Sequence, residues 1–260
     1  ELFFDGHVDS PISVKTNKVN VEVKMDNMGL LYSQTNPAHP AQDVAFTISN
    51  LTIPAKKNID IPTANPFKCY FYPPAFDKEK LPIPFLLPPG GSNLMNIVSM
   101  MPKLKEELRT IFNDYGLKYV FDTNSQEIKV MKEKKPGEIF LIPFHSIADT
   151  LQRMIFYKAA IESNSESALV FEEPEAHSYP PFISKVTQDI IQSDRNQFFI
   201  TTHSPYVVND FLELPSDELA IYLVDFRNGE TFVKRASDTE VQEMYEYGID
   251  LFFNTETFLR

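Results

Sequence analysis

The sequence predicts an α/β protein with a mostly parallel sheet flanked by helices, together with an antiparallel β portion. Two short apolar runs, at residues 169–171 and 198–200, have the length of buried strands, and a helix-like stretch separates them. Near the start of the chain, residues 19–25 alternate apolar and polar side chains, which is the period of a half-exposed strand. The first pattern is typical of parallel sheet, and the second predicts half of an antiparallel hairpin.

Residues 1–92 are predicted to hold the antiparallel portion and a proline-rich connector. A hairpin is expected over residues 11–25, with its turn at residues 16–18, whereas residues 31–50 are polar and ambiguous. Nine of the 20 prolines fall within residues 54–89. Proline lacks a backbone donor and restricts the residue before it, so this stretch is predicted to be extended, with short strands at residues 68–72 and 84–87. A proline-motif ligand for a partner is the less favoured interpretation.

Residues 93–145 are predicted to form an inserted helix-plus-hairpin subdomain. Apolar residues at helical spacing predict one helix over residues 93–115, ended by Gly116. Three short strands are expected next, at residues 117–121, 127–131 and 138–142.

Residues 146–260 are predicted to form the main lobe. A helix is expected from about Pro143 to Ser163, with Ile147, Leu151, Met154, Ile155 and Ala159 as its apolar stripe. Further elements are helices at residues 180–192 and 205–212, a hairpin of residues 219–225 with 231–235, and a helix from a Ser237–Glu240 capping box to Tyr247.

Composition narrows the class of protein. A chain of 260 residues can bury a sizeable core, and its net charge of −12 argues against a chain-wide surface for DNA or anionic membrane. The one cysteine, Cys69, excludes an intramolecular disulfide framework and fits a reducing cytoplasm. No apolar run approaches the ~20 residues that span a bilayer, so no membrane association is predicted.

Polar side chains that suit catalysis follow both apolar runs. Glu172 and Glu173 come after the first run, and His203 comes after the second. Parallel strands bring their carboxyl ends to one edge of a sheet, which is where α/β proteins bind ligands. A carboxylate pair there can order a divalent cation and polarise a water, and a neighbouring histidine can reach the same substrate.

The two segments together resemble the nucleotide site of ABC-type ATPases, in the form found in OLD-like and AAA-family ATPases of bacteria. Residues 169–175, Leu-Val-Phe-Glu-Glu-Pro-Glu, resemble the Walker B strand, and residues 198–205, Phe-Phe-Ile-Thr-Thr-His-Ser-Pro, resemble the switch-histidine strand. The stretch at residues 176–180, which includes His177, lies where that family has its dimer-contacting D-loop. Either segment alone would be a weak signal, but their order and spacing are a strong one.

The resemblance implies ATP and Mg²⁺ as ligands and a role for each residue. Glu172 would be the carboxylate associated with Mg²⁺, Glu173 would orient the attacking water, and His203 would reach the γ-phosphate. His177 would contribute to the nucleotide site, residues 93–145 would act as a lid, and two heads would dimerise around two nucleotides. The resemblance also implies an unidentified protein or DNA partner.

The segment that opens the helix before residue 169 departs from the family's Ser-x-Gly signature. Ser146 is one candidate for the signature hydroxyl, and Ala148-Asp149-Thr150 is the other candidate for this position, in which case the serine is lost. A plain N-cap role for Ser146 is an equal alternative.

A phosphate-binding G-x-x-x-x-G-K-[ST] string does not occur in the sequence. We expect a segment before Glu1 to supply it. A degenerate ATPase fold that serves as a scaffold is the first rival interpretation. A metal-dependent hydrolase is the second, with ligands drawn from His7, Asp9, Glu172, Glu173, His177 and His203.

Overall fold

A computed structural model describes most of the chain, as two compact units. The described residues are 12–15, 20–26, 29–35, 44–48, 66–73, 83–125, 127–215, 217–254 and 258–259. The first unit comprises Glu1–Ala64 and Tyr222–Lys234, and the second comprises Asn65–Ile221 and Arg235–Arg260. Parallel and antiparallel sheets occur together with helices, so the predicted α/β class is confirmed.

The first unit contains a four-stranded antiparallel sheet and a hairpin. The sheet has the order β1 (Ile12–Lys15), β2 (Asn20–Asp26), β3 (Gly29–Thr35) and β4 (Val44–Ile48). The predicted hairpin is confirmed because Ile12 pairs with Val23 in antiparallel register, although its predicted turn at residues 16–18 lies outside the described residues. The ambiguous residues 31–50 supply β4 and most of β3.

The hairpin of the first unit joins β11 (Tyr222–Arg227) to β12 (Glu230–Arg235), whose last residue lies in the second unit. Its turn residues, Asn228 and Gly229, both have positive φ, at 55° and 87°. Two positive φ angles are what a tight two-residue hairpin turn requires, which confirms the predicted hairpin and its turn.

A three-stranded parallel sheet forms the centre of the second unit. Its middle strand is β9 (Ser167–Glu172), with β10 (Asn196–Thr201) on one side and β5 (Phe67–Tyr70) on the other. Both neighbours run parallel to β9. Residues 167–169 and Phe171 of β9 are buried, as expected of a central strand that is covered on both faces.

Helix α3 (Asp149–Ser163) lies against this sheet and is buried almost all round. Residues 154–161 are all buried, which includes the predicted stripe residues Met154, Ile155 and Ala159. The ring centroids of Tyr157 and Phe171 lie 5.1 Å apart, so aromatic contacts join the helix to β9.

The predicted helix over residues 93–115 is two helices, α1 (Leu94–Met100) and α2 (Pro102–Asp114). The single-helix prediction was wrong because Pro102 has no backbone N–H to continue α1, and it instead starts α2 at the first helical position. Gly116 ends α2 as predicted, with φ at 65°, and Leu117 N–H donates to the Phe112 carbonyl at 2.9 Å.

Residues 84–87 form no strand, contrary to prediction. Their backbone groups bind side chains instead of a neighbouring strand. The Leu87 N–H donates to Asn93 Oδ1 at 2.8 Å, and the Leu86 N–H donates to Ser163 Oγ at 2.9 Å. The predicted strand at residues 68–72 is β5.

The other predicted elements of the second unit are confirmed, with small changes of boundary. An antiparallel sheet contains β6 (Lys118–Asp122), β7 (Glu127–Lys135) and β8 (Glu138–Pro143). The helices are α4 (Pro180–Ile191), α5 (Pro205–Phe211) and α6 (Asp238–Tyr247), and α6 begins with the Ser237–Glu240 capping box. Within the described part of the chain, no helix has the length and apolar character needed to cross a membrane.

Candidate active site at the carboxyl edge of the parallel sheet

The carboxyl ends of β9 and β10 lie side by side. Glu172, the last residue of β9, pairs in parallel register with Thr201, the last residue of β10. In both strands the apolar run is followed by polar residues, and both strands end there. The residues that follow, Glu173 and His203, therefore lie at one edge of the sheet, as predicted.

Glu173 and His203 contact each other directly. Glu173 Oε1 lies 3.2 Å from His203 Nε2, and the two side chains are 47% and 82% exposed. The backbone of Glu173 is fixed to the neighbouring strand, since its N–H donates to the Thr201 carbonyl at 3.0 Å. Its φ of 40° is in the left-handed region, which is unfavourable for most residues with a side chain. Residues strained in this way cluster at functional sites.

Glu175 connects the same two segments and had been given no role from the sequence. Its Oε1 accepts a hydrogen bond from Thr202 Oγ1 at 2.6 Å and another from the His203 N–H at 2.9 Å. Its Oε2 is buried and has no partner among the described residues. The sequence signal that could have indicated this residue is that it is the third acidic side chain in the run Glu-Glu-Pro-Glu at residues 172–175.

His177 lies at the far end of the turn that follows β9. Its φ is 55°, and its carbonyl accepts a hydrogen bond from Thr150 Oγ1 at 3.1 Å. This bond connects the turn to the first helical residues of α3. The His177 side chain itself is exposed.

Ser146 and Asp149 lie just before α3 and at its first residue. Ser146 ends a short 3₁₀ turn, Phe144–Ser146, and is exposed. The N-cap of α3 is Ala148, so the N-cap alternative for Ser146 was wrong, and the reason is that the 3₁₀ turn delays the start of the helix. The Asp149 carboxylate accepts from Arg153 Nε at 2.8 Å, one turn along α3.

Tyr157, which is buried, and Cys69, which is partly accessible to solvent, both interact with Glu172. Tyr157 Oη donates to the Glu172 carbonyl at 3.3 Å, and burial raises the pKa of this phenol. Burial first and the Glu172 charge second raise the pKa of the Cys69 thiol on β5.

No group of three or more His, Cys, Asp or Glu side chains in the described parts of the chain is arranged to hold a metal ion. Two of the ligands considered for a metal-dependent hydrolase, His7 and Asp9, lie outside the described residues.

A family profile described as "AAA domain, putative AbiEii toxin, Type IV TA system" matches residues 71–209. The chain belongs to this AAA-domain family. The matched range contains Glu172, Glu173, Glu175 and His203, so the whole carboxyl-edge site falls within the AAA domain. Membership supports the predicted P-loop ATPase family. An OLD-like affiliation and the source of the phosphate-binding loop stay predictions.

Solved structures similar to the AAA-domain chain include heads of SMC ATPases. One comes from work on ATP-driven dimerization and DNA stimulated activation of SMC ATPases, with 15% identity, a TM-score of 0.40, and coverage of 59% of this chain and 96% of that chain. Another is an SmcHead bound to the C-winged helix domain of ScpA, with 14% identity, a TM-score of 0.40, and coverage of 84% and 69%. A search of curated proteins found no significant match.

Proposed function

We propose that this protein is an ATPase head that hydrolyses ATP at the carboxyl edge of its parallel sheet. The observation that carries this function is the contact of 3.2 Å between Glu173 and His203 at the ends of neighbouring parallel strands. Membership of an AAA-domain family supports a nucleotide as the ligand. The same geometry favours the original assignment of Glu173 and His203 as the catalytic pair.

Glu173 orients the attacking water and accepts its proton. A general base must approach its water within hydrogen-bond distance, and the half-exposed Glu173 carboxylate can do so. His203 contacts the γ-phosphate with its exposed ring. Both groups act by position and charge, as is usual for phosphoryl transfer, and no covalent intermediate with the protein is needed.

The chemistry of the residues at the carboxyl edge fits Mg²⁺. Protein-bound Mg²⁺ uses one or two carboxylates together with phosphate oxygens and waters, and Glu172 offers an exposed carboxylate at the end of β9. When bound, the ion neutralises charge on the β- and γ-phosphates. Glu172 is the residue that would hold the ion, and it is longer by one methylene than the aspartate usual at this position.

Two heads dimerise around two nucleotides and act on an unidentified protein or DNA partner. Ser146 or Asp149, before and at the start of α3, would then contact the γ-phosphate bound to the other head. We expect His177 to join this contact, and the hydrogen bond from Thr150 Oγ1 to the His177 carbonyl supports this expectation. We also propose that residues 93–145 form a separate subdomain that acts as a lid. Its boundaries are those predicted from the sequence, at residues 92 and 145.

The variant Glu173→Gln in the complete protein tests this function. It keeps the size of the side chain and removes the base, so we expect ATP turnover to fall at least ~100-fold while ATP binding persists. Dimers should accumulate with ATP and be visible by light scattering. Glu138→Gln, at an exposed position of β8, is the matched control. Undiminished turnover in Glu173→Gln would exclude the catalytic role, and a wild type that binds no ATP would favour the scaffold.

A further inference from the structure

We propose that Glu175 is the positioning residue that holds His203 against Glu173, a role that rests on the proposed function. Glu175 contacts neither the water nor the phosphate in this assignment. It binds the backbone of His203, and it affects turnover only by fixing the position of that residue.

The contacts of Glu175 are with the backbone and side chain of the switch segment. One carboxylate oxygen, Oε1, accepts from both Thr202 Oγ1 at 2.6 Å and the His203 N–H at 2.9 Å. Thr202 Oγ1 in turn accepts from the Ser204 N–H at 3.0 Å. A single carboxylate therefore fixes three consecutive residues after β10, directly at Thr202 and His203 and through Thr202 at Ser204. Hydrogen bonds to an ionised group are about twice as strong as those between neutral groups.

Glu173 is hydrogen-bonded to the last residue of β10, and Glu175 is hydrogen-bonded to the two residues after it. A buried proline separates the two glutamates in the chain. The Glu173 N–H donates to the Thr201 carbonyl at 3.0 Å, and Glu175 binds the next two residues along. Pro174 between them is buried and has a restricted φ. The backbones that carry Glu173 and His203 are thus held in one relative position, which sets the distance between their side chains.

The second oxygen of Glu175 indicates more than a structural contact. Oε2 is buried without a partner among the described residues. Most buried polar groups are paired, and exceptions have a cost of about 1–3 kcal/mol that needs a reason. A role for Glu175 beyond packing is such a reason.

A double-mutant cycle in the complete protein tests this role. We expect Glu175→Ala to lower kcat about 10- to 100-fold, since misplacement of a reacting group by ~1 Å can cost ~100-fold. The KM for ATP should change less than threefold. Glu175→Gln retains an acceptor oxygen at the same reach, so it should recover most of kcat. In a His203→Ala background, Glu175→Ala should have almost no further effect.

The outcomes separate this role from the proposed function. If Glu175→Ala and His203→Ala reduce kcat additively, Glu175 does not act through His203 and the inference is overturned, while the proposed function stands. If His203→Ala alone leaves kcat intact, the catalytic assignment of His203 falls and the inference falls with it. If Glu175→Ala does not fold, Thr202→Val removes one of the two hydrogen bonds to Glu175, and an unchanged kcat in Thr202→Val would overturn the inference.

Discussion

Glu173 Oε1 lies 3.2 Å from His203 Nε2, although the two residues are thirty positions apart in the chain. The parallel pairing of β9 with β10, which ends with Glu172 opposite Thr201, accounts for this proximity. The contact joins the two residues to which we assign the activation of water and the contact with phosphate.

Replacement of His203 by alanine should lower ATP turnover about 10- to 100-fold, within the range expected for a positioned polar group in phosphoryl transfer. Steady-state kinetics of the complete protein would measure the effect. Asn209→Ala changes an exposed residue of the following helix, α5, and serves as control. Equal turnover in the two variants would contradict a role for His203.

Lys158 should matter far more for stability than a surface lysine. It is 1% exposed, its Nζ donates to Glu107 Oε1 at 3.0 Å, and it also binds Asp189. Removing one partner of a buried ion network leaves an uncompensated charge, so we expect Lys158→Met to lower the free energy of unfolding by about 3–5 kcal/mol at neutral pH. Urea denaturation followed by circular dichroism would measure the loss.

Lys103→Met is the control for Lys158→Met. Lys103 binds Glu162 at 2.6 Å but is 77% exposed, so its loss should cost less than about 1 kcal/mol. Burial raises the pKa of Asp189, and the hydrogen bond from Lys158 opposes that rise. Without Lys158 the folded-state pKa of Asp189 rises further, so the penalty should shrink as the pH falls. Similar losses in both variants would contradict the buried-network interpretation.

Gly91 should tolerate alanine less well than Gly116. Both glycines have positive φ, at 68° and 65°, but an added Cβ at Gly91 would lie 2.7 Å from Phe156 Cε2, whereas nothing lies within 4 Å at Gly116. Gly116→Ala should cost about 1–2 kcal/mol from backbone strain alone. Gly91→Ala should cost a further ~1–3 kcal/mol from overpacking. Thermal unfolding of the two variants would reveal this difference, and equal shifts in Tm would contradict it.

The ion pair between Asp122 and Lys129 should make stability depend on acid pH. The hydrogen bond from Lys129, followed by those from Asn124 and Ser125, holds the pKa of Asp122 well below its usual value of 3.8. A lowered carboxyl pKa gives stability that is present above about pH 3.8 and is lost as the pH falls toward the folded-state pKa.

Asp122→Asn tests this dependence because asparagine keeps an acceptor oxygen without the charge. Its urea midpoint should be below that of the wild type at pH 7, and the difference should narrow as the pH falls below about 3.8. Asp114→Asn at the exposed end of α2 is the control. A difference between Asp122→Asn and the wild type that stayed constant with pH would contradict the charge-based explanation.

Elements that depend on local pattern were predictable from the sequence. The apolar runs predicted the strands β9 and β10, although only β9 is buried and β10 lies at the edge of the sheet. The capping box at Ser237 predicted the start of α6. Pro102 was visible in the sequence, but the apolar spacing on either side of it outweighed it in the prediction of one helix.

Features that depend on distant partners were not predictable. Residues 84–87 form no strand because their backbone N–H groups bind the side chains of Asn93 and Ser163. Ser163 Oγ accepts the hydrogen bond from the Leu86 N–H, although the two residues are 77 positions apart in the chain. In the candidate site, Glu173 and His203 were predicted from their positions at strand ends. The proposed role of Glu175 could be inferred only from the three-dimensional position of Thr202, because a single sequence does not show which donor a carboxylate oxygen binds.

The burial of α3 on all sides has a consequence for how the chain tolerates sequence variation. Residues 154–161 occupy every direction around the helix axis, and each is buried. A substitution scan along α3 should therefore give an unbroken block of intolerant positions, without the three-to-four-residue rhythm that α2 and α4 should show. Divergence among related chains would then be confined to the ends of α3.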